Sequence, residues 1–169
     1  GFRMALRATG RTDNAIVVEG GIGSELMSDV PIEEAAVIAV DPRIARRPAG
    51  GLLLSRGIQA LISLHHTGEA DQANGAVRGV TPLAFEVRSG VQVVEGRPFA
   101  PAAPEVIVGR RVRDRFGLGV GSKVMIRRTA WEIVGIFASD GSGFESEIWG
   151  DLHTLAGPLR RTRGYQALV

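Results

Sequence analysis

The 169-residue sequence contains no cysteine, so no disulfide, thiolate metal site or thiol nucleophile can form. That absence permits an oxidising compartment without requiring one. Lysine is almost missing too. Lys123 stands alone among 20 basic residues, the rest being arginine. Aromatic residues make up 5% of the chain, and no apolar run approaches the 18 residues of a membrane helix. The sequence opens with Gly1 and carries no signal-peptide pattern. It closes on "YQALV", inside an apolar run where a strand should pass into a turn. The expectation is a piece of a longer polypeptide.

What is present suits one globular domain, or one domain with two lobes. Hydrophobic residues make up 44% and charged residues 22%, too apolar a balance for disorder. A chain of this length buries roughly 70% of the surface exposed when unfolded. The 23 glycines and 8 prolines predict many turns between short strands. Net charge is +2, with arginines clustered at Arg110, Arg111, Arg113 and Arg115, at Arg127 and Arg128, and at Arg160, Arg161 and Arg163. Such clusters can grip phosphate. No nucleic-acid reader motif accompanies them, and acids such as Asp114 stand nearby, so a solvated face is the favoured reading.

Along the chain, "NAIVVEG" from Asn14 reads as a buried strand. "SDVPIEEAAVIAVDP" reads as a helix, with Pro31 near its first position, Glu33 and Glu34 in its first turn, and Asp41-Pro42 as its end. "RRPAGG" is a linker-like break. "IQALISLHH" and "GAVRGVTP" form a hairpin around the polar tip "TGEADQAN", and "VQVVEGRPF" is a further strand. After the second break, "APAAP", come strand "EVIVG", helix "RRVRDRFG" and the strands "SKVMIRR" and "AWEIVGIFAS". In the last of these, alternation sets Trp131, Ile133 and Phe137 on one face and Val134 and Ile136 on the other. "SEIWGDLHTLAGPLRR" reads as a helix, with Ser146 as N-cap and Ile148, Leu152 and Leu155 at helical spacing. "YQALV" supplies a closing strand. The order predicts an α+β fold: a mixed or antiparallel sheet with short packing helices.

No segment carries a strong catalytic signature. "FGLGVGSK" has the wrong order and polarity for a phosphate loop. Gly117 reads instead as a left-handed helix cap, and Gly119 to Gly121 as the turn after it. His65 and His66 point to opposite faces of a strand, and His153 stands alone, so no metal site is expected. Ser142 lacks the strand-turn-helix setting of a hydrolase nucleophile. Glu147 and Asp151, four apart on the expected helix, are the one candidate acid pair, with a solvated helix edge or an interface as the favoured alternative.

Two blocks, "ALRATGRTDNAIVVEGGIGSELMS" (5–28) and "EVIVGRRVRDRFGLGVGSKVMIRRTAWEIVGIFASDGSGFESEIWGDLHTL" (105–155), resemble the extracytoplasmic domain of ABC-transporter permeases of the MacB type, a group that includes FtsX- and LolC-like proteins. The second block is the specific one. The resemblance implies a domain set between the first and second membrane helices of a cytoplasmic-membrane protein, facing the periplasm or cell exterior. Gly1 would then follow the first membrane helix, and Val169 would lead back towards the second. It implies two lobes, 1–48 with 101–169 nearer the membrane and 49–100 distal. It further implies mechanical coupling to export or extraction of a substrate, with no catalytic residue and no cofactor. The implied partners are the protein's own transmembrane helices, a second permease copy and a cytoplasmic ABC ATPase, with a periplasmic adaptor as a further candidate. Trp149 and Ile148 would anchor the helix to the sheet or to a second copy, with Glu145, Glu147 and Asp151 as the rim of that interface, unless Trp149 serves core packing alone. The rival expectations are an exported hydrolase using Glu147 and Asp151, and an anion-binding module using Arg110 to Arg115.

Overall fold

A computed structural model describes residues 3–5, 14–65 and 72–169. The hairpin tip with His66 lies outside the described residues, as does Gly1. In chain order the elements are β1 (Arg3–Ala5), β2 (Ile16–Val18), a 3-10 turn (Glu25–Met27), β3 (Val30–Pro31), α1 (Ile32–Ala39), β4 (Arg56–His65), β5 (Gln72–Val80), α2 (Leu83–Val87) and β6 (Gln92–Gly96). They continue with β7 (Glu105–Gly109), α3 (Arg110–Phe116), β8 (Lys123–Ile126), β9 (Thr129–Ala138), a second 3-10 turn (Gly143–Ser146), β10 (Glu147–Asp151), α4 (Leu152–Ala156), β11 (Gly164–Tyr165) and β12 (Ala167–Leu168).

Ten strands make one mixed sheet in the order β1-β2-β12-β4-β5-β10-β7-β9-β6, with β8 paired to β9. β5 runs parallel to β10 and β7 parallel to β9, while the other pairs are antiparallel. The α+β fold with a mixed sheet and short helices is as the sequence predicts. Among the described residues no helix is long and apolar enough to cross a membrane.

Several local expectations hold for physical reasons. Gly117 ends α3 at φ 66°, a left-handed conformation glycine enters without a Cβ clash, and its N–H reaches the Arg113 carbonyl. Arg127 and Arg128 make the tight turn between β8 and β9. The final strand is divided: Tyr165 pairs with β3, and Leu168 lies between β2 and β4. Gln166 at the crossover is buried. Its N–H donates to the Gly57 carbonyl at 2.8 Å, and its Oε1 accepts from the Gln59 N–H at 3.0 Å.

Two expectations are corrected. First, residues 147–151 are a strand, not the start of a helix. β10 sits between β5 and β7, and all five of its residues are buried. Ile148, Leu152 and Leu155 do share one core cluster, which is why their spacing imitates a helix. Ile148 reaches that cluster from the sheet, and the two leucines reach it from α4 above. Asp151, not Ser146, is the N-cap, accepting from the Thr154 N–H at 2.9 Å.

Second, the alternation along β9 breaks. Relative to β7, the register steps from Ile133↔Val106 to Gly135↔Ile107, leaving Val134 as a bulge. Trp131, Ile133 and Ile136 therefore pack into the larger core cluster, and Val134 and Phe137 into the second.

Residues 49–100, expected as a distal lobe, share the sheet with the rest of the chain. β4 and β5 lie within the sheet between β12 and β10, and β6 pairs with β9. Ile58, Ala60, Ile62 and Val77 share one core with Val106, Ile126 and Ile148. Hydrogen-bond ladders and shared burial cross both Pro/Gly breaks.

Candidate functional site

Three adjacent strands aim their polar side chains at one spot. Gln59 of β4 lies opposite Arg78 of β5, and Arg78 is in register with Trp149 of β10. Glu147 lies two residues before Trp149 and so on the same face. Arg78 is 3% exposed and Glu147 8%. The guanidinium grips the carboxylate with two parallel bonds: Nε donates to Oε2 at 2.7 Å and Nη2 to Oε1 at 2.9 Å. Glu147 also accepts from Trp149 Nε1 at 2.8 Å and from Gln59 Nε2 at 3.3 Å. On the other side, Arg78 Nη1 donates to Glu25 of the first 3-10 turn at 2.6 Å.

Electrostatics hold the cluster charged. Burial opposes the charge of Arg78, but Glu147, and then Glu25, outweigh it and raise its pKa above the ordinary arginine value. Burial likewise works against the Glu25 carboxylate, yet Arg78 keeps its pKa lowered. Arg88, just after α2, joins the cluster without an equivalent acid. Burial, reinforced by the neighbouring Arg78, brings its pKa down to about 10. Its Nε and Nη1 have no hydrogen-bond partner among the described residues, and its guanidinium sits 4.6 Å from the Phe144 ring centre and 5.9 Å from that of Trp149. Cation–π attraction takes the place of an ion pair there. Trp149 is enclosed, with the Phe137 and Phe144 rings at 5.1 and 5.5 Å.

A second charged knot closes the loop before β10. The buried carboxylate of Glu145 accepts from the Ser139 N–H at 2.8 Å, from Arg110 Nη2 at 2.9 Å and from the Gly141 N–H at 3.2 Å. The Ser139 amide, then Arg110, hold its pKa at about 2. Gly109 is required beside it: a Cβ there would sit 2.2 Å from the Glu145 carbonyl oxygen.

The five residues expected at an interface are therefore all interior. Ile148 and Trp149 have no exposed surface, and Glu145, Glu147 and Asp151 are buried. An anchor with a polar rim needs solvent-facing side chains, and β10 has none. Nor do Glu147 and Asp151 form an acid pair. Four positions along one strand separate them by roughly 13 Å, beyond the spacing of paired catalytic carboxylates. Both are occupied besides, Glu147 by Arg78 and Asp151 by the cap. Of the α3 arginines, Arg110 is paired to Glu145, and Arg113 to Asp114, with Glu95 at 3.7 Å. Arg111 reaches the Gly141 carbonyl. The cluster is largely neutralised. His153 is exposed on α4, and no three metal-ligating side chains converge among the described residues. Sequence reasoning missed Arg78, Arg88 and Glu25. The available signal was Arg78 itself, the one charge in the small and apolar run "NGAVRGV".

The chain matches the family model described as MacB-like periplasmic core domain over residues 3–169. It belongs to that family. The MacB-like fold is also visible in solved structures. The periplasmic region of MacB from Actinobacillus actinomycetemcomitans superposes with a TM-score of 0.66 at 10% identity, covering 90% of this chain and 71% of that one. The extracellular domain of the noncanonic ABC-type transporter YknZ from Gram-positive bacteria gives 0.59 at 14% identity, covering 83% and 71%. At such identities the likeness is one of fold. None of the curated proteins matches this chain. This MacB-like domain thus has the architecture of transporter extracytoplasmic regions, and its buried charge network lies across the middle of that architecture.

Proposed function

We propose that this MacB-like domain is the extracytoplasmic part of an ABC-transporter permease subunit. It carries ATP-driven motion of membrane helices outward to the export or extraction of a substrate, and it performs no chemistry itself. The observation that carries the reading is the meeting of the two sequence ends. β2 and β12 are hydrogen-bonded neighbours, with Val17 opposite Leu168, and β12 also pairs with β4. Displacement applied at both ends enters the sheet at one place. From there β4, β5 and β10 are tied side to side by Gln59, Arg78 and Glu147, so the load crosses a stiff, bonded path instead of a loop. Interior packing of Ile148 and Trp149 serves the same stiffness. The partners in this reading are the protein's own membrane helices, a second permease copy, a cytoplasmic ATPase and a periplasmic adaptor.

These 169 residues contain no cysteine, so a label introduced here is unique within the domain once any cysteines elsewhere in the complex are replaced. A single spin label at exposed Val94, introduced as Val94→Cys in the permease assembled with its ATPase, should show a copy-to-copy distance that changes with ATP turnover. An unchanged distribution in an actively hydrolysing complex would refute the coupling. So would a native gene product with no hydrophobic spans flanking this segment.

A further inference from the structure

A cleft of about 1010 Å³ lies between β4 and β8, beside the strand that carries Gln59 but lined by none of the network's charged residues. Its walls include Leu61 and Ser63 on β4, Lys123 and Met125 on β8, the Arg127-Arg128 turn and Arg160 beyond α4. Two properties set it apart. Among the described residues its charge has one sign: four cations line it, no carboxylate does, and none of the four cations has an ion-pair partner. By contrast, the α3 arginines are mostly paired. Leu61 and Met125, at 48% and 54% exposure, add apolar surface between the cations.

The second property is open backbone. β12 covers β4 only at Arg56 and Gly57. Beyond that, the Gln59 N–H is taken by Gln166 Oε1, which shows that odd-numbered residues of β4 turn their amides away from β5. Antiparallel alternation turns the N–H and C=O of Leu61 and Ser63 the same way, towards the cleft, where no strand among the described residues meets them. On β8, Ser122 accepts from the Ile133 N–H, so by the same alternation Lys123 and Met125 point their backbone groups outward from β9. Two unpaired strand edges thus border one cationic, partly apolar cleft.

We infer that this cleft takes an extended acidic polypeptide segment of a partner protein, which adds as a strand along the open Leu61–Ser63 edge of β4. Main-chain bonds to that edge supply affinity for any extended chain. Selection for acidic side chains comes from Lys123, Arg127, Arg128 and Arg160, and for alternating apolar ones from Leu61 and Met125. The inference holds whether or not the domain is driven by an ATPase, so its test and that of the transport reading fail independently.

The probe is an acetylated seven-residue peptide of alternating glutamate and valine, titrated into the 15N-labelled 169-residue chain. The expected result is saturable binding, with amide shifts concentrated at Leu61, Ser63, Lys123 and Met125, that weakens from low to physiological salt. The R127E/R128E variant, altered only at exposed turn positions, should bind at least about tenfold more weakly while keeping the native spectrum. Ser63→Pro, which removes one outward N–H from an edge position that tolerates proline, should also weaken it. The same peptide N-methylated on alternate residues should not bind. Equal binding of the N-methylated peptide, or of the lysine-valine analogue, would overturn the proposal. So would shifts at these residues with phosphatidylglycerol vesicles but none with the peptide.

Discussion

Arg78 and Glu147, 69 positions apart in sequence, meet side-on across neighbouring parallel strands through two hydrogen bonds of 2.7 and 2.9 Å, both groups buried. The pair is embedded, since Glu25, Gln59 and Trp149 complete its hydrogen bonds. Breaking one member should therefore cost more than replacing both. Glu147→Ala leaves the guanidinium buried with only Glu25 for charge, and a loss of about 3–5 kcal/mol in urea unfolding is expected. The double change Arg78→Met with Glu147→Leu should recover much of that loss. A double variant that loses the sum of the two single losses would show that the pair is not coupled.

The carboxylate of Glu145 gives a pH signature. Its pKa in the folded chain, about 2, lies below the usual carboxylate value because the Ser139 amide and Arg110 favour the charged form. Its contribution is thus fully present above the unfolded value near 4.5 and is lost as pH falls towards 2. Glu105, held at about 2 by Arg97 and the Ala100 amide, acts in the same window. The denaturation midpoint should drop between pH 5 and pH 3. Glu145→Gln should lower stability at pH 5 and flatten that drop, as measured by urea melts at the two pH values.

Gly109 and Gly119 offer a steric contrast. A Cβ on Gly109 meets the backbone of Glu145 at 2.2–2.6 Å, whereas one on Gly119 meets nothing within 4 Å. Gly109 has an ordinary φ of −66°, so only packing forbids a side chain there. Gly109→Ala should destabilise by about 1–3 kcal/mol or more, because backbone cannot move aside as a side-chain tip can. Gly119→Ala should shift the melting temperature little.

Helix α4 tests the corrected boundary. Asp151→Ala removes the acceptor for both the N–H and the hydroxyl of Thr154 and should cost about 0.5–2 kcal/mol. Ser146→Ala, at an exposed position with no capping bond, should stay within about 0.5 kcal/mol of the parent. A larger effect at Ser146 than at Asp151 in thermal melts would restore the earlier helix start.

Much of the architecture was legible in the residues themselves. β-branched runs bounded by Gly and Pro gave most strands, the Asp41-Pro42 stop and the Gly117 cap bounded their helices, and "AWEIVGIFAS" announced a strand covered on both faces. These are local properties, set by backbone sterics and by which side chains avoid water. The site was less legible. "SEIWGDL" satisfies helix spacing because Ile148, Leu152 and Leu155 all seek one core, and it satisfies a strand because Ile148 and Trp149 seek opposite ones. Only the slot between β5 and β7 resolves the two. The same holds for the bulge at Val134, which the register of β7 imposes. Arg78 and Glu147 look like two unrelated charges until the sheet brings their strands together. Sequence pattern determined which residues leave water and which turn the chain. Tertiary structure alone decided what each meets inside, because a buried charge or an apolar face is satisfied by whichever distant partner the topology delivers.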